Sequence, residues 1–464
     1  MAHTERSPLI IGAGPAGLTA ALGLAKRGAM PRIYEASGNV GGLARTPTIG
    51  DWRVDPGGHR FFTSNQQVLD LWNSLLPPDE WTSVRRRSAM LVNDHYVQYP
   101  LVGRELLTQM GLRCGMDGLR SLLWSRARRA VRRVDDAASF RQWGTDEFGR
   151  YWYSLFFDGY VRKTWQAEPD DIASDWASQR IKPISWRKRR DRNSSDVFRY
   201  PRLGPGQLWE AAASELADVG VHPNLDSPVV KARFDGRRWT LELQNGECAS
   251  GDAVFSSMPL RFLVDALEPK APRHIQTVAA TLKHRGLITV AVALRKHYDI
   301  PFHWVYTPGK NFVAGRIQNY GLWSSALAPD SWDGTYLGFE YFVGPYGELL
   351  TADDERLRHI VEQDLRALGV DESAVEQVMI VRSRFAYPVC DATRDESVAR
   401  IRDFLRRNYP SLHPIGRNGM HRYDNQDHAM LSAMHSVAHY FGDDVDPWQV
   451  NTDLGYHETG LVTT

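Results

Sequence analysis

The hydrophobic pattern begins with an unbroken apolar run, Leu9-Ile10-Ile11, which stops at Gly12 and resumes as an Ala/Leu-rich stretch with helical spacing as far as Lys26. An apolar run of strand length, a glycine turn and a helix predict one strand–turn–helix unit. Pro31 to Glu35 reads as the next strand, and Asn65 to Leu75 as a helix with Asn65 at its start. Ser88 to Tyr99 predicts a hairpin turning at Asn93-Asp94. Gly103 to Arg133 is helical and basic, and Phe140 to Lys163 is an aromatic-rich helix.

From Phe198 the character changes. Tyr200 to Gly206 leads into a helix through Leu216, and Val229–Phe234 and Trp239–Leu243 read as strands, the second ending at Asn245-Gly246. Ala253-Val254-Phe255 is a short apolar strand followed by small residues and Pro259, which suggests a return to the first sheet. Thr281–Leu294, Trp304–Tyr306, Phe312–Gln318 and Tyr336–Val343 predict a second sheet. Its longest apolar run, Leu287 to Leu294, has the length of a buried strand and falls far short of a membrane span. Asp353–Leu368 and Ser397–Asn408 read as helices. Pro414 to Gly419 is a strand entering a glycine loop, and Asn425-Gln426-Asp427 opens the last helix, which carries Met430 and Met434. No internal repeat or low-complexity segment interrupts this order.

Composition narrows the picture. A length of 464 residues with 42% hydrophobic content allows two or three domains or one composite domain. A net charge of +1 gives no bulk argument for nucleic acid. Cys114, Cys248 and Cys390 are too far apart for a metal motif or a disulfide framework, and Met1 to Pro8 lacks a signal-peptide pattern; a cytoplasmic setting is expected. The load of 15 Trp and 18 Tyr can serve core packing or stacking on rings and sugars.

The first unit carries the clearest chemistry. Gly12, Gly14 and Gly17 give the G-x-G-x-x-G spacing, with Pro15 and Ala16 at the helix start and Glu35 at the tip of the second strand. That spacing suits a tight turn, a close approach of pyrophosphate to backbone, and a helix packed on its strand. The helix N-terminus favours the phosphate charge, and the acid can accept from ribose hydroxyls. Two further glycine loops follow. Gly41-Gly42-Leu43-Ala44-Arg45 can pass a phosphate or a flavin ring, or be a surface turn. Gly57-Gly58-His59 brings the backbone close to something flat; His59 faces a flavin or substrate, or caps a turn. The arginine-rich helix around Trp124 to Arg129 can lie on a membrane surface or be a solvated face. Trp186 to Arg192 can cover an anionic substrate or stand exposed.

Together these stretches resemble UDP-galactopyranose mutase and its flavoprotein relatives, a wider class that includes protoporphyrinogen oxidase and the flavin amine oxidases. The resemblance runs through the N-terminal fingerprint, Gly159-Tyr160-Val161-Arg162-Lys163-Thr164-Trp165, Gln179-Arg180, and Gly416 to Asp427. It implies an α/β fold: a Rossmann-type FAD-binding domain from residues 1–80, 200–265 and 410–464, a helical insertion over 81–199, and a mixed-sheet substrate domain over 266–409. It implies FAD held by Gly12, Gly14, Ala16, Gly17, Glu35, Gly42, Leu43, Arg45, Gly58, His59, Val230, Ser257, Gly416, Arg417, Gln426 and Asp427. Arg180 and Arg316 resemble the mutase arginines that clamp the substrate diphosphate, and Trp165 and Tyr423 resemble residues of the sugar pocket. Asn425 stands where the mutases carry an acid. The implied activity is pyranose–furanose interconversion of a nucleotide sugar through N5 of reduced flavin, with His59, Arg180, Arg316, Tyr423 and Asn425 at the reacting site and NADH or NADPH as possible reductants. The alternative is an FAD-dependent oxidase or dehydrogenase acting on a sugar, amine or cyclic small molecule. No nucleic-acid partner, metal or integral membrane association is expected.

Overall fold

The computed structural model describes residues 6–131, 139–172, 181, 184 and 197–450. Arg180, its neighbour Gln179 and the charged run Trp186 to Arg192 lie outside the described residues.

Leu9–Ile11 forms the middle of a five-stranded parallel sheet, flanked by Arg32–Tyr34 then Pro223–Asn224 on one side and Val254–Ser256 then Leu412–Pro414 on the other. The chain therefore returns to its first sheet at Val254, as the apolar triplet there predicts. Gly12 holds φ at +100°, a value that only glycine adopts freely, and the strand turns there into helix Pro15–Lys26. A Cβ on Gly17 would stand 1.8 Å from the Gly12 carbonyl oxygen, so that helix can lie on its strand only with glycine at this position. One face of the sheet is covered by this helix with Gly206–Asp218 and Gln426–Tyr440. The other face is covered by a four-stranded sheet and helices Leu260–Ala266, Arg273–Thr281 and Arg394–Asn408.

A second, seven-stranded sheet runs in the order Val375–Pro388, His284–Leu294, Thr335–Val343, Arg316–Asn319, Trp304–Tyr306, Ser88–Val92 and His95–Tyr99. Every residue of His284–Leu294 and of Thr335–Val343 is buried, which accounts for their near-continuous apolar sequence. The hairpin Ser88–Tyr99 turns at Asn93 and Asp94 with φ of +49° and +62°, and joins this sheet through a parallel pairing with Trp304–Tyr306. Residues 88–99 thus belong to the large sheet, and Met90, Val92 and Val97 pack its end against the helices that follow.

Those helices are more broken than their pattern predicts. The basic stretch divides at Gly111, φ +79°, into Gly103–Gln109 and Gly111–Val131. The aromatic stretch kinks at Gly149 and passes through a π-helical segment, Tyr153–Asp158, before Gly159–Trp165. Phe140, Phe148, Trp152, Phe156 and Phe157 fill its core.

The two sheets meet around Asp55, which is 1% exposed. Thr46 Oγ1 donates to its Oδ1 at 2.7 Å, and the Tyr200 hydroxyl donates to Oδ2. The Tyr320 hydroxyl donates to the Asp55 carbonyl at 2.7 Å, and Gly206 N–H donates to Thr46 Oγ1 at 2.9 Å. Burial raises the Asp55 carboxyl from 3.8 to about 7, against the opposing pull of the Tyr200 and Thr46 hydrogen bonds. The folded protein therefore holds this proton more tightly than the unfolded chain does. The stability it confers is fully present below the unfolded value near 4 and is lost as pH rises to about 7. Urea midpoints of wild type and Asp55→Asn should show this directly. Wild type should lose stability between about pH 4 and pH 7 relative to the variant, and the variant should be weaker at the lower pH; parallel curves would contradict the assignment.

Candidate functional site

Two cavities adjoin at the carboxyl ends of the parallel strands, where ligands bind in open α/β sheets. The first, with about 720 Å³ of space free of protein atoms, is lined by Gly14, Ala16, Glu35, Gly42, Leu43 and Ser257, and by Gly416, Arg417 and Asn418 opposite. Two helix N-termini open onto it. Pro15–Lys26 has Gly14 as its N-cap and Gln426–Tyr440 has Asn425, and neither residue caps its helix with a side-chain hydrogen bond. The cavity thus offers uncovered N–H groups and the positive ends of two dipoles. Glu35 sits at its far end, where its carboxylate accepts from Ala13 N–H at 2.7 Å and Ser37 N–H at 2.9 Å. Asn418 Oδ1, Gln426 Nε2 and His59 Nε2 are buried without hydrogen-bond partners on the cavity wall. A dinucleotide with a hydrogen-bonding ring system fits this set: phosphates for the helix ends, ribose hydroxyls for Glu35, ring acceptors and donors for the orphaned side chains.

The second cavity, about 1150 Å³, shares His59, Arg417, Asn425 and Gln426 with the first. Its walls are aromatic, including Phe157, Tyr160, Trp304, Tyr306, Tyr387 and Tyr423. Arg60, Arg86, Arg316 and Arg417 line it, and no Asp or Glu is among its described lining residues. The flat partner of the Gly57-Gly58 loop is Trp304: a Cβ on Gly58 would lie 2.4 Å from its indole ring. That contact seats His59 at the junction of the two cavities.

Arg316 owes its place to strand register. It lies directly opposite Glu340 in the antiparallel pair, and a slip of one residue would turn it to the other face. Its Nε donates to Glu340 Oε2 at 2.8 Å, and Gln318 Nε2 donates to Oε1 at 2.7 Å. The arginine side chain is 15% exposed and the glutamate fully buried. Burial, the largest influence, would lower the Arg316 value, but Glu340 together with Tyr387 and Tyr160 outweighs it and holds the guanidinium firmly charged. Burial raises Glu340, and Arg316 and Gln318 oppose that rise. Arg316 is therefore a buried strand arginine in an ion pair that turns a charged side chain to the cleft.

The other expected residues are placed as follows. Arg417 bridges both cavities; its Nε donates to the Asp424 carbonyl at 2.6 Å, and it stands over the rings of Tyr387 and Tyr423 at 5.3 and 5.5 Å. Those two rings stack 5.5 Å apart at an interplanar angle of 18°. Arg45 lies behind the first cavity, donating to the carbonyls of Gly42 at 2.8 Å and Arg382 at 3.1 Å. Gly12 and Gly17 shape the turn under Gly14. Asp427 is buried in the first turn of the last helix beside His428. Val230 stands at a β-bulge with its side chain 43% exposed, away from both described linings. Trp165 belongs to a third opening behind the Tyr387–Tyr423 stack, where Arg285 stands 4.0 Å over its ring. Sequence reasoning missed Arg60, Arg86, Tyr387 and Arg285. Arg60 directly follows His59, the one local signal among them.

The profile of the family described as flavin containing amine oxidoreductase matches residues 15–413. The chain belongs to this family. It is a flavoenzyme, and its fold is that of the FAD-binding amine oxidase-type flavoproteins. A crystal structure of reduced UDP-galactopyranose mutase superposes with TM-score 0.86 and 20% identity over 98% of this chain and 100% of that one. A putative protoporphyrinogen oxidase from Exiguobacterium sp. 255-15 gives TM-score 0.75 and 15% identity over 94% and 99%. At these identities the likeness carries the fold alone. The chain is also 23% identical to an all-trans-zeta-carotene desaturase of Myxococcus xanthus, over 65% of this chain and 63% of that protein. It is 25% identical to a probable UDP-galactopyranose mutase of Klebsiella pneumoniae over 45% and 53%. These matches therefore span between half and two thirds of the curated relatives' length.

His59 gives the site a testable electrostatic signature. Burial first, then the nearby Arg417, push its imidazole down from 6.5 to about 3; Arg316 and Arg45 add to the fall, and the Leu43 backbone opposes it. It should stay neutral in the folded protein across the physiological range. The unfolded chain takes up a proton near pH 6.5, so stability is lost as pH falls from there towards 3. In an NMR titration the His59 resonance, assigned by its loss in His59→Gln, should not move above about pH 4. A midpoint near 6 would contradict the buried, arginine-flanked setting.

Proposed function

We propose that this flavoenzyme is a mutase of nucleotide sugars, interconverting pyranose and furanose rings with FAD in the first cavity and the substrate in the second. The single observation that carries the reading is the charge of the cleft. Arg60, Arg86, Arg316 and Arg417 line it without a carboxylate among the described lining residues. Such a wall attracts a diphosphate and disfavours the protonated amine an amine oxidase must hold. A neutral hydrocarbon such as a carotene has no use for it either. The oxidase and desaturase relatives share the frame, but fold does not decide chemistry.

Gly14, Gly42, Glu35, Ser257, Gly416 and Gln426 would hold FAD. Once bound and reduced, by NADH, NADPH or another donor, FAD supplies a nucleophilic ring nitrogen for the sugar's anomeric carbon. The chain's own side chains do the rest. Glu340 engages Nε and Nη2 of Arg316, and the N–H groups left over face the diphosphate and stabilise the charge that develops as it leaves; the resemblance gives Arg180 the same task. The Glu340 ion pair keeps the Arg316 fork from turning away. Tyr387 and Tyr423 offer ring faces to the sugar and exclude water. His59, kept neutral, can exchange a hydrogen bond with the flavin or sugar without adding a charge. Asn425 both donates and accepts at the joint of the cavities, where a carboxylate would only accept.

Anaerobic turnover tests the reading. The reduced protein should convert UDP-galactose or a related nucleotide sugar to its ring isomer without consuming an acceptor, and the oxidised protein should not. Stoichiometric peroxide or reduced acceptor, with no isomer from any nucleotide sugar, would mark a net oxidase or dehydrogenase. Arg316→Lys keeps the charge but loses the planar fork, so KM should rise about tenfold with flavin content unchanged.

A further inference from the structure

Helix Gly111–Val131 has one side fixed and one side unexplained. Inward, Leu122 and Ser125 are 2% and 6% exposed, and Ser121 Oγ accepts from the Tyr151 N–H of the neighbouring helix at 3.0 Å. Outward, Trp124, Leu123 and Met116 are 68%, 57% and 55% exposed. They are three of the four most exposed large hydrophobic side chains among the described residues, so they are not random scatter. At about 100° per residue the three fall within roughly a quarter to a third of the helix circumference, along about 12 Å of its axis. Exposed Arg113 and Arg120 lie inside the same arc, and exposed Arg126 and Arg128 border it; Asp117 is the one exposed acid of the stretch.

We propose that this face docks on the surface of an anionic lipid bilayer. Trp124, Leu123 and Met116 enter the headgroup boundary, while the arginines reach the lipid phosphates on their long stems. The charge pattern argues against a second copy of the chain as the occupant. An isologous contact would set four arginines against four, with one aspartate on each side to offset them. The whole chain has a net charge of only +1, so this basic face is a local feature. No helix among the described residues is long and apolar enough to cross a membrane, so the contact is peripheral. The inference is independent of the mutase reading.

Co-sedimentation of the flavin-loaded full chain with vesicles tests it. The protein should bind an equal mixture of phosphatidylcholine and phosphatidylglycerol, bind phosphatidylcholine alone far less, and be released by high salt. Leu123→Ser/Trp124→Ser and, separately, Arg120→Gln/Arg128→Gln should each weaken binding roughly tenfold or more. Both should keep the wild-type circular dichroism and flavin content, because all four side chains are exposed; if one pair fails to fold, the other still decides. Three results would overturn the proposal: no binding to the anionic vesicles, binding that the folded variants do not weaken, or concentration-dependent dimerisation without lipid that Leu123→Ser/Trp124→Ser abolishes.

Discussion

The buried hydrogen-bond junction at Asp55 is the constraint on which the site's shape depends. One side chain gathers Thr46, from the loop behind the first cavity, and Tyr200, from strand Val197–Pro201, which pairs with Trp81–Arg85; its carbonyl takes the Tyr320 hydroxyl from beside the large sheet. Beyond Pro56, Leu287 crowds Gly57 and the Trp304 ring closes the space at Gly58. His59 is thereby delivered to the wall that both cavities share. A buried acid with several donors is costly to disturb, because each donor left unpaired adds about 1–3 kcal/mol. The junction thus couples the stability of the frame to the position of a single imidazole.

A second constraint is the register of the large sheet. It sets Arg316 against Glu340, and that ion pair turns a strand position into a fixed cation of the cleft. Desolvating such a pair opposes stability unless its hydrogen bonds are complete, and here Gln318 completes those of Glu340. Packing, charge and site geometry converge on the same few strands. Tyr387, beside the cleft, comes from the edge strand of that sheet, and Arg417 from the turn after the last parallel strand.

The parts legible in the sequence were those in which chemistry is local. The fingerprint needs only a strand, a glycine turn and a helix in immediate succession, and Gly12 and Gly17 behave as their spacing requires. The return of Val254 to the first sheet was legible because small residues and a proline follow the apolar triplet. What escaped depends on distance along the chain. Val375–Pro388 was not read as a strand, since its arginines and glutamate blur the alternation of an edge strand that carries a bulge. The pairing of Arg316 with Glu340 is a matter of register, invisible in either segment alone. The cleft arginines come from separate loops and strands, so their convergence is a property of the fold. The breaks at Gly111 and Gly149 were hidden by helical periodicity on both sides.

A cavity that fits a dinucleotide opens directly onto a cleft lined by four arginines. The most direct test is a titration of the flavin absorbance of the purified protein with UDP, uridine and a diamine at low and high salt. UDP should give a saturable spectral change that weakens as salt rises, uridine a much weaker one, and the diamine none. Saturable binding of the diamine with no response to UDP would contradict this reading of the cleft.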